Sequence, residues 1–440
     1  MSDFTPAMHL CLFEDHRVPG LRPLVETRAA YDLRLGVRTI LETTREAVAP
    51  ATSGLVLHTR SLVASVTDQS HEDASINTLP DRTDVLFVNG RLVAENGPAL
   101  TAIQERVDAD DGPRAFLHDD ALVAAWVPDA AAHLPDDVLA PPALPMAPFT
   151  DLPKTTVEGA TLVNRPWHLL GTLRPALRRD VAARIDTPPT FPLPDRPQAS
   201  VHESAVAVRP DQIHVGTDAT VRPGAILNAE DGPILIDEGA TIHERAVLKG
   251  PCYVGPKSQV KVGADIDGAA FGYYCKVGGE VHDTVIHSLS NKNHPGFLGH
   301  AYLGRWCNLG ADTNNSNLKN DYGEVSAYAP SEADFVGTGR QFAGLFMGDH
   351  SKCGINTMFN TGTVVGTCCN LFGGDFPPRY VPPFSWGGPS AGFNAYRLDK
   401  ALSVAERVMA RREIPLTEND RTLLTTLFDQ TKRERATHHE

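Results

Sequence analysis

The sequence predicts an α/β domain followed by a left-handed parallel β-helix with helices at its C-terminal end. Three observations carry this prediction. Short apolar segments alternate with helical patterns up to residue 185, a proline-rich segment follows, and from residue 201 apolar residues recur at every sixth position. We therefore expect an N-terminal domain over 1–185, a linker over 186–200, a β-helix over 201–390 and helices over 391–440.

The first domain is inferred from strands that alternate with helices. MHLCLF at 8–13, GLVLHT at 54–59 and DVLFVNG at 84–90 are apolar enough for buried strands, and helical spacing lies between the first two. Such alternation is typical of a parallel sheet covered by helices. LVNRPWHLLGTLRPALRRDVAARI at 162–185 predicts a helix that closes the domain, and DTPPTFPLPDRPQAS then prevents regular structure through its prolines.

The β-helix is inferred from a period of six. Helices repeat every 3.6 residues and strands every two, so neither enforces this step. A coil with three short faces per turn does, with each apolar side chain pointing inward. The residues at this step are Val215, Val221, Leu227, Ile236, Ile242, Leu248, Val254, Val260, Ile266, Leu303, Leu309, Met347, Cys353, Phe359, Val365 and Leu371. We expect the glycines that follow several of them to turn corners with positive φ: Gly216, Gly255, Gly304, Gly310, Gly348, Gly354 and Gly366.

The C-terminal segments SAGFNAYRLDKALSVAERVMARREI and TENDRTLLTTLFDQTKRERA have helical spacing. Thr417 and Asp420 have the spacing of a capping box, although aspartate is a weaker partner there than glutamate. We expect these helices to cover the open end of the coil, where unpaired backbone would otherwise be exposed.

Composition excludes several classes of function. The chain has 440 residues and a formal net charge of -14, which argues against broad binding to nucleic acid or to an anionic membrane. No apolar run approaches the ~20 residues of a membrane span, and the N-terminus is acidic where a signal peptide would be basic, so we expect a cytoplasmic protein. Seven cysteines without zinc-site spacing predict free, buried thiols and no metal site of this kind.

The candidate chemistry concentrates in NKNHPGFLGHAYLGRWCNLGADTNNSNLKNDYG at 291–323. Amide side chains donate and accept hydrogen bonds without net charge, which suits sugar hydroxyls. An imidazole exchanges a proton near neutral pH, which suits a general base, and His294 and His300 are both candidates. Asparagines at coil corners also stabilise positive φ, so a structural and a binding interpretation stay open for Asn314, Asn315, Asn317 and Asn320.

On HPGFLGHAYLGRWCNLGADTNNSN, together with FMGDHSKCGINTMFNTGTVVG at 346–366, the coil resembles the bifunctional bacterial enzyme that makes UDP-N-acetylglucosamine. This GlmU-like resemblance covers about residues 201–375. The whole chain is more similar to a divergent branch of that family, sugar nucleotidyltransferases with a short N-terminal domain ahead of the same coil.

The resemblance implies acetyl-CoA-dependent N-acetylation of an amino-sugar phosphate, such as glucosamine 1-phosphate, by a homotrimer with clefts between neighbouring coils. His294 falls at the catalytic base. Phe297 replaces a tyrosine and His282 a lysine, so one hydroxyl is lost and one cation is weakened. Substrate contacts fall on Lys261, His282, Phe297, Asn308 and Asn317, and contacts to the acyl donor fall on Ala311 and Asn356.

For the N-terminal domain the resemblance implies sugar-1-phosphate nucleotidyl transfer with Mg²⁺. Asn89 stands where the family has a metal-binding aspartate, and His168 in NRPWHLL replaces the acid of a PWDLL element. Glu14 and Asp15 are the acids that could replace them. Phosphate contacts are expected from Arg17, Arg22 and Arg28, with Thr27-Arg28 the strongest candidate.

Three other interpretations stay open. In the first, the N-terminal domain is degenerate and only packs on the coil. In the second, the protein is a nucleotidyltransferase whose β-helix only trimerises it. In the third, it is a non-catalytic scaffold that binds sugar nucleotides. The missing metal acids favour acyltransferase over nucleotidyltransferase, and the histidine in the predicted cleft favours an enzyme over a scaffold.

Overall fold

The computed structural model describes residues 8–48, 52–81, 83–93, 98–108, 112–184 and 199–439. The chain forms two compact units, and each takes more than one stretch of sequence. Within the described residues, the first unit takes the chain up to Leu21, Thr27–Leu33 and Arg38–Asn164; the second takes Arg22–Glu26, Arg34–Val37 and the chain from Arg165 onward. Almost all of the expected linker, 186–198, lies outside the described residues.

The first unit is built on a mixed sheet of seven strands, in the order β3-β2-β1-β4-β7-β6-β8. Strands β3, β2, β1 and β4 are parallel, which confirms the predicted parallel core, whereas β7 joins β4 in antiparallel fashion. The strands are Met8–Phe13 (β1), Thr52–Leu57 (β2), Ala74–Ile76 (β3), Val85–Asn89 (β4), Leu92–Val93 (β5), Arg114–His118 (β6), Ala121–Val127 (β7), Lys154–Thr156 (β8) and Thr161–Leu162 (β9). The separate pair β5–β9 is antiparallel.

Short helices connect these strands. The helix Ile40–Val48 begins at a capping box, in which Thr39 N–H donates to Glu42 Oε2 at 2.7 Å and Glu42 N–H donates to Thr39 Oγ1 at 3.2 Å. The α-helices of this unit are Ile40–Val48 (α1), Ser61–Ser70 (α2), Pro98–Asp108 (α3) and Ala130–His133 (α4), and its 3₁₀ turns are Val18–Leu21, Ala30–Asp32 and Ala147–Phe149.

The second unit is a left-handed parallel β-helix with three faces. Along each face, neighbouring strands come from successive coils and pair in parallel, except for the last two strands of the first face, which are antiparallel. The first face contains Ser200–Val201, Thr220–Val221, Thr241–Ile242, Gln259–Val260, Lys276–Val277, Asn291–Lys292, Asn308–Leu309, Lys352–Cys353, Asn370–Leu371, Ser385–Gly388 and Gly392–Ala395. The second face contains Val206–Val208, Ile226–Asn228, Val247–Lys249, Asp265–Asp267, Glu280–His282 and Phe297–Gly299. The third face contains Ile213–Val215, Ile234–Ile236, Cys252–Val254, Ala270–Phe271, Val285–Ser288, Tyr302–Arg305, Leu345–Met347, Thr363–Val365 and Tyr380–Val381.

Two features interrupt the regular coil. An insertion between Asn315 and Leu345 carries an antiparallel hairpin, Ser326–Ala329 with Asp334–Gly337. The first face ends in a second antiparallel hairpin, so the β-helix continues to Ala395 and not to the expected residue 390. The remaining pieces are the pair Asn314–Asn315 with Met358–Phe359 and the 3₁₀ turn Pro210–Gln212.

The predicted period of six is confirmed. Every apolar residue at this step lies in one core cluster inside the coil, and none is more than 6% exposed. All seven cysteines are free and buried, also as predicted. None of the described helices combines the length and the apolarity that a membrane span requires.

The expectation about the glycines was wrong. Positive φ occurs three residues after the inward residue, at Asp218, Lys257 and Asn356, with φ of 57°, 57° and 55°. The glycine directly after the inward residue instead lies against the backbone of the next coil. A Cβ on Gly255 would lie 2.6 Å from the carbonyl oxygen of Gly272, and one on Gly348 would lie 2.8 Å from the amide nitrogen of Thr367. These glycines are needed for close packing of coils rather than for backbone freedom.

Substituting Gly255 with alanine is therefore expected to lower the free energy of unfolding by ~1–3 kcal/mol, because the added methyl overpacks two coils. Gly374→Ala is the matched control, since a Cβ there meets no atom within 4 Å. Urea unfolding followed by circular dichroism measures both variants. Equal stabilities would show that the coils can separate at Gly255 without loss.

Four further helices belong to the second unit: His168–Arg184 (α5), Leu398–Ala410 (α6), Glu418–Gln430 (α7) and Lys432–His438 (α8). The capping box of α7 is confirmed, with Thr417 N–H donating to Asp420 Oδ2 at 2.9 Å and Asp420 N–H donating to Thr417 Oγ1 at 3.2 Å. Helices α7 and α8 contact the last coil, where the ring centroids of Phe428 and Phe384 lie 5.2 Å apart. They cover the end of the coil as expected.

The first-domain boundary differs from the expected one. Helix α5 was expected to close the first domain, but it groups with the β-helix unit, where Arg174 pairs with Asp267 at 2.8 Å and with Asp283 at 2.6 Å. Two N-terminal segments also group with the β-helix. Glu26 Oε2 accepts from the amide of Thr367 at 3.0 Å, and the amide of Arg34 donates to the hydroxyl of Tyr302 at 2.9 Å.

Candidate functional site

A cleft of about 600 Å³ lies between the first face of the β-helix and the C-terminal end of helix α6. Three of the predicted site residues, His294, Asn308 and Ala311, line it. On the opposite wall are Val404, Val408, Arg411 and Arg412. The C-terminal segment therefore does more than cover the end of the coil, since it also builds one wall of this cleft.

The β-helix wall is a ladder of outward polar side chains. In the paired strands the residue before each inward apolar residue points outward, because successive side chains in a strand alternate between its two sides. Register places Lys276 beside Asn291, Asn291 beside Asn308, and Asn308 beside Lys352. The amides of Asn291 and Asn308 lie within 3.4 Å of each other, and Arg412 Nη2 donates to Asn291 Oδ1 at 3.1 Å.

The cleft is strongly cationic. Lys276, Lys352, Arg411 and Arg412 line it, and no carboxylate is found among the described residues of its lining. Burial, followed by the charges of Arg412, Lys261 and Arg411, lowers the pKa of Lys276. Burial also lowers the pKa of Lys352. The whole chain carries a net charge of -14, so this local concentration of cations contrasts with the overall charge and suits an anionic ligand.

His294 lies at a corner of the coil with its side chain exposed, at the edge of the cleft. Its carbonyl oxygen accepts a hydrogen bond from Lys292 Nζ at 2.7 Å. The two residues expected to contact an acyl donor are neighbours, since the amide of Asn356 donates to the carbonyl of Ala311 at 2.8 Å. Ala311 lines the cleft, and Asn356 follows Ile355, which also lines it.

The other predicted substrate residues of the β-helix form a second group, outside the lining of this cleft. The rings of His282 and Phe297 meet edge to face with centroids 5.8 Å apart on the second face. Asn317 Nδ2 lies 3.0 Å from His300 Nδ1, and His300 stacks on Phe342. Burial lowers the pKa of His300, against the opposing charge of Asp283.

Lys261 and Asn320 fall elsewhere. Lys261 Nζ lies 3.4 Å from Gln259 Oε1, and the charge of Lys261 contributes to the lowered pKa of Lys276. Asn320 lines a second cleft of about 670 Å³ with Lys319 and Arg379. Asn315 is structural, because its side chain accepts from the amide of Gly299 at 2.8 Å and donates to the carbonyl of Gly299 at 2.9 Å.

In the first unit, an ion pair occupies the edge of the sheet where a metal site was expected. Asp15 follows β1 and Asn89 ends β4, at the carboxyl edge of the parallel strands where ligands bind in such sheets. Both carboxylate oxygens of Asp15 accept from the guanidinium of Arg91, with Nε at 2.8 Å from Oδ1. Asn89 Nδ2 donates to Asp15 Oδ2 at 2.9 Å. Burial alone would raise the pKa of Asp15, but the hydrogen bonds and charge of Arg91 outweigh it and lower that pKa.

Glu14 is also engaged. It is fully buried, with Oε1 accepting from the amide of Ala30 at 2.7 Å and Oε2 accepting from the hydroxyl of Thr59 at 2.9 Å and the amide of Arg60 at 3.0 Å. Within the described ranges, no group of three or more histidine, cysteine, aspartate or glutamate side chains is placed to hold a metal ion. Glu14 and Asp15 therefore do not fit Mg²⁺, because protein donors already occupy both carboxylates.

The residues predicted to contact phosphate in the first domain are divided between the two units. Arg17 is exposed in the first unit, and Arg28 is buried there with only 3% of its surface exposed. Arg22 belongs to the second unit, where it pairs with Glu26 at 2.9 Å and Glu434 at 2.8 Å. The expected phosphate contacts of Arg17, Arg22 and Arg28 stay predictions, with Arg22 already engaged by two carboxylates. His168 likewise begins helix α5 in the second unit.

Sequence reasoning missed the four cations of the cleft. Lys276 and Lys352 each precede an inward residue of the first face, so the strand register would have placed Lys276 beside Asn291 and Lys352 beside Asn308. Arg411 and Arg412 carry no such signal, because their position depends on how α6 packs along the coil.

Comparison with known proteins bears on the N-terminal part of the chain. Residues 10–186 match a family model described as sugar nucleotidyl transferase. A comparison with curated proteins found no match.

Solved structures match the β-helix weakly. The UDP-N-acetylglucosamine acyltransferase of Arabidopsis is 13% identical over 55% of this chain and 96% of its own, with a TM-score of 0.20. The Francisella novicida UDP-N-acetylglucosamine acyltransferase is 12% identical over 53% and 89%, with a TM-score of 0.20. The polySia-specific acetyltransferase NeuO is 12% identical over 49% and 96%, with a TM-score of 0.23. At these values the likenesses carry no argument about function.

The family match thus identifies the N-terminal α/β region as a nucleotidyltransferase-like domain, and it supports a transferase of sugar metabolism as the broad class of this chain.

Proposed function

We propose that the second unit transfers an acetyl group from acetyl-CoA to the amine of an amino-sugar phosphate. The observation that carries this proposal is the cleft, which brings His294, Asn308 and Ala311 together with four cations and no lining carboxylate. Both proposed substrates carry phosphate, and both need a polar surface beside it.

The reaction requires a free amine lone pair. An amino sugar is largely protonated at neutral pH, so a base has to take one proton before or during attack on the thioester carbonyl. His294 is exposed at the edge of the cleft and can accept it. The new C–N bond forms as the C–S bond breaks, and the released CoA thiolate takes up a proton. The cations of the cleft hold phosphate throughout and take no part in these bonds.

The amide ladder orients the sugar. Asn291 and Asn308 offer donors and acceptors along one wall. Ala311 and Asn356 fit the acyl donor, since a small side chain beside an exposed backbone corner leaves room for a thioester. We further propose a cytoplasmic homotrimer, in which the second group, His282, Phe297 and Asn317, completes the cleft of a neighbouring copy.

The experiment is acetyl transfer with acetyl-CoA and a panel of amino sugars, with and without phosphate, read by the thiol of released CoA. Arg412→Gln is expected to raise KM for the phosphorylated substrate or acyl donor about tenfold and to leave kcat nearly unchanged, because the charge-assisted contact is made equally before and during the reaction. Arg397→Gln is the control, since Arg397 is an exposed arginine that pairs with Asp399 outside the cleft lining. Equal KM values for phosphorylated and unphosphorylated sugars would contradict the anion site.

A second candidate function is nucleotidyl transfer by the first unit, and the family match over residues 10–186 favours it. The Asp15–Arg91 ion pair disfavours it, because the carboxylate that would face a metal is already neutralised. Pyrophosphate release with the four nucleoside triphosphates and sugar 1-phosphates decides between the two. Robust release would make the protein bifunctional, whereas acetyl transfer alone would leave the first unit a binding domain.

A further inference from the structure

Lys292 occupies a position where the fold calls for an apolar side chain. On the first face, the inward column runs through Val260 and Val277, and register places Lys292 next to Val277 in the following coil. Leu309 and Cys353 continue the column beyond it. The side chain of Lys292 is among the largest fully buried ones, with 1% of the residue exposed. A lysine inside this apolar prism needs an explanation.

Two main-chain carbonyls hold its ammonium group. Lys292 Nζ donates to the carbonyl of Gly278 at 2.9 Å and to the carbonyl of His294 at 2.7 Å. Gly279 leaves the space for it, because a Cβ there would lie 2.9 Å from Nζ. The side chain therefore links corners of two successive coils, and one of these corners carries His294.

Stability alone does not account for this arrangement. Burial, only partly offset by the charge of Asp312, lowers the pKa of Lys292 to about 8, so the protonated form is held at a cost in free energy. An apolar residue of similar length would fill the column without that cost, and replacing buried charges in this way is often neutral or stabilising. The ammonium thus maintains a geometry that an apolar side chain would not.

We propose that Lys292 is the positioning residue of the acetyl-transfer site: by holding the carbonyl of His294 it fixes the corner from which the imidazole reaches the cleft. This inference rests on the proposed role of His294 as the base. The carbonyl and the imidazole of His294 share one Cα, so the hydrogen bond at 2.7 Å restrains both backbone and side chain. A displacement of about 1 Å at such a group is enough to slow a reaction by up to ~10²-fold.

The test is Lys292→Met in the full chain, with Lys292→Leu as a second variant if the first does not fold. Ile242→Met, another inward residue of the same face, is the matched control for repacking. Hydrogen–deuterium exchange of the peptide over 291–299 reports the corner without any substrate. We expect faster exchange there in Lys292→Met only, a kcat at least tenfold lower, and a KM for the acyl donor within about twofold of wild type.

Wild-type kcat together with wild-type exchange at this corner in Lys292→Met would overturn the proposal. So would an equal loss of kcat in Ile242→Met, because repacking of the column would then explain the effect. Failure of the proposed function looks different: wild-type protein would transfer no acetyl group to any substrate. The exchange comparison would still decide whether Lys292 fixes the corner.

Discussion

Replacing His294 with alanine is expected to lower kcat for acetyl transfer by ~10²-fold or more, the usual effect of losing a general base. The fold should survive, because the side chain is exposed and Lys292 donates to the main-chain carbonyl, which the substitution keeps. The measurement is the release of CoA thiol under saturating substrates, with circular dichroism as the check on folding.

The control for His294→Ala is His202→Ala, an exposed histidine on an early coil whose Nδ1 lies 2.9 Å from Ser204 Oγ. It should retain full activity. Wild-type turnover in His294→Ala would show that another group takes the proton. His300 would then be the next residue to replace, since its ring lies beside Asn317 in the second group of predicted substrate residues.

Replacing Arg91 with methionine should destabilise the first unit by ~3–5 kcal/mol, because it leaves the largely buried carboxylate of Asp15 without its cation. Arg91 also donates to the carbonyl of Val163 at 3.1 Å, so a strand contact is lost with it. Urea unfolding at pH 7 measures the effect. Asp15→Asn combined with Arg91→Met is the control, and it should recover much of the loss by removing the charge as well.

The stability that the Arg91→Met variant loses should depend on pH. In the wild type Arg91 keeps the pKa of Asp15 below the ordinary value of an aspartate, so the pair stabilises the fold at neutral pH and loses that effect only as the pH falls through the lowered pKa. Without Arg91, burial dominates and raises the pKa of Asp15. The difference in stability between wild type and variant should therefore shrink as acid protonates the carboxyl. An equal difference at pH 7 and pH 4 would contradict this account.

The sequence predicted the fold well because the period of six is a strong local signal. Each inward residue from Val215 to Leu371 is set by its own coil, and strand β1 was predicted with its observed bounds. The glycine corners were misassigned because a sequence shows only that glycine is present. Whether it is needed for positive φ or for the close approach of two coils depends on the neighbouring coil, as at Gly255.

The candidate site was predicted only in part. His294, Asn308 and Ala311 come together because they belong to adjacent coils of a regular repeat. The wall of the cleft that helix α6 contributes could not be predicted, because no periodicity links Arg412 to Asn291, 121 residues away. The same limit applies to Arg91, whose burial against Asp15 depends on two strands meeting at one edge of the sheet.

The division of the N-terminal sequence between the two units has a consequence for synthesis. Chains emerge from the ribosome N-terminus first and begin to fold during translation. Arg22–Glu26 and Arg34–Val37, however, find their partners only after the coil that contains Tyr302 and Thr367 has been made. These short segments have to wait for more than 250 later residues, as the separation of Arg34 from Tyr302 by 268 positions shows. A protein variant that begins at the β-helix would lack Glu26, so the amide of Thr367 would lose its carboxylate acceptor. The N-terminal segments therefore stabilise the coil only late in folding.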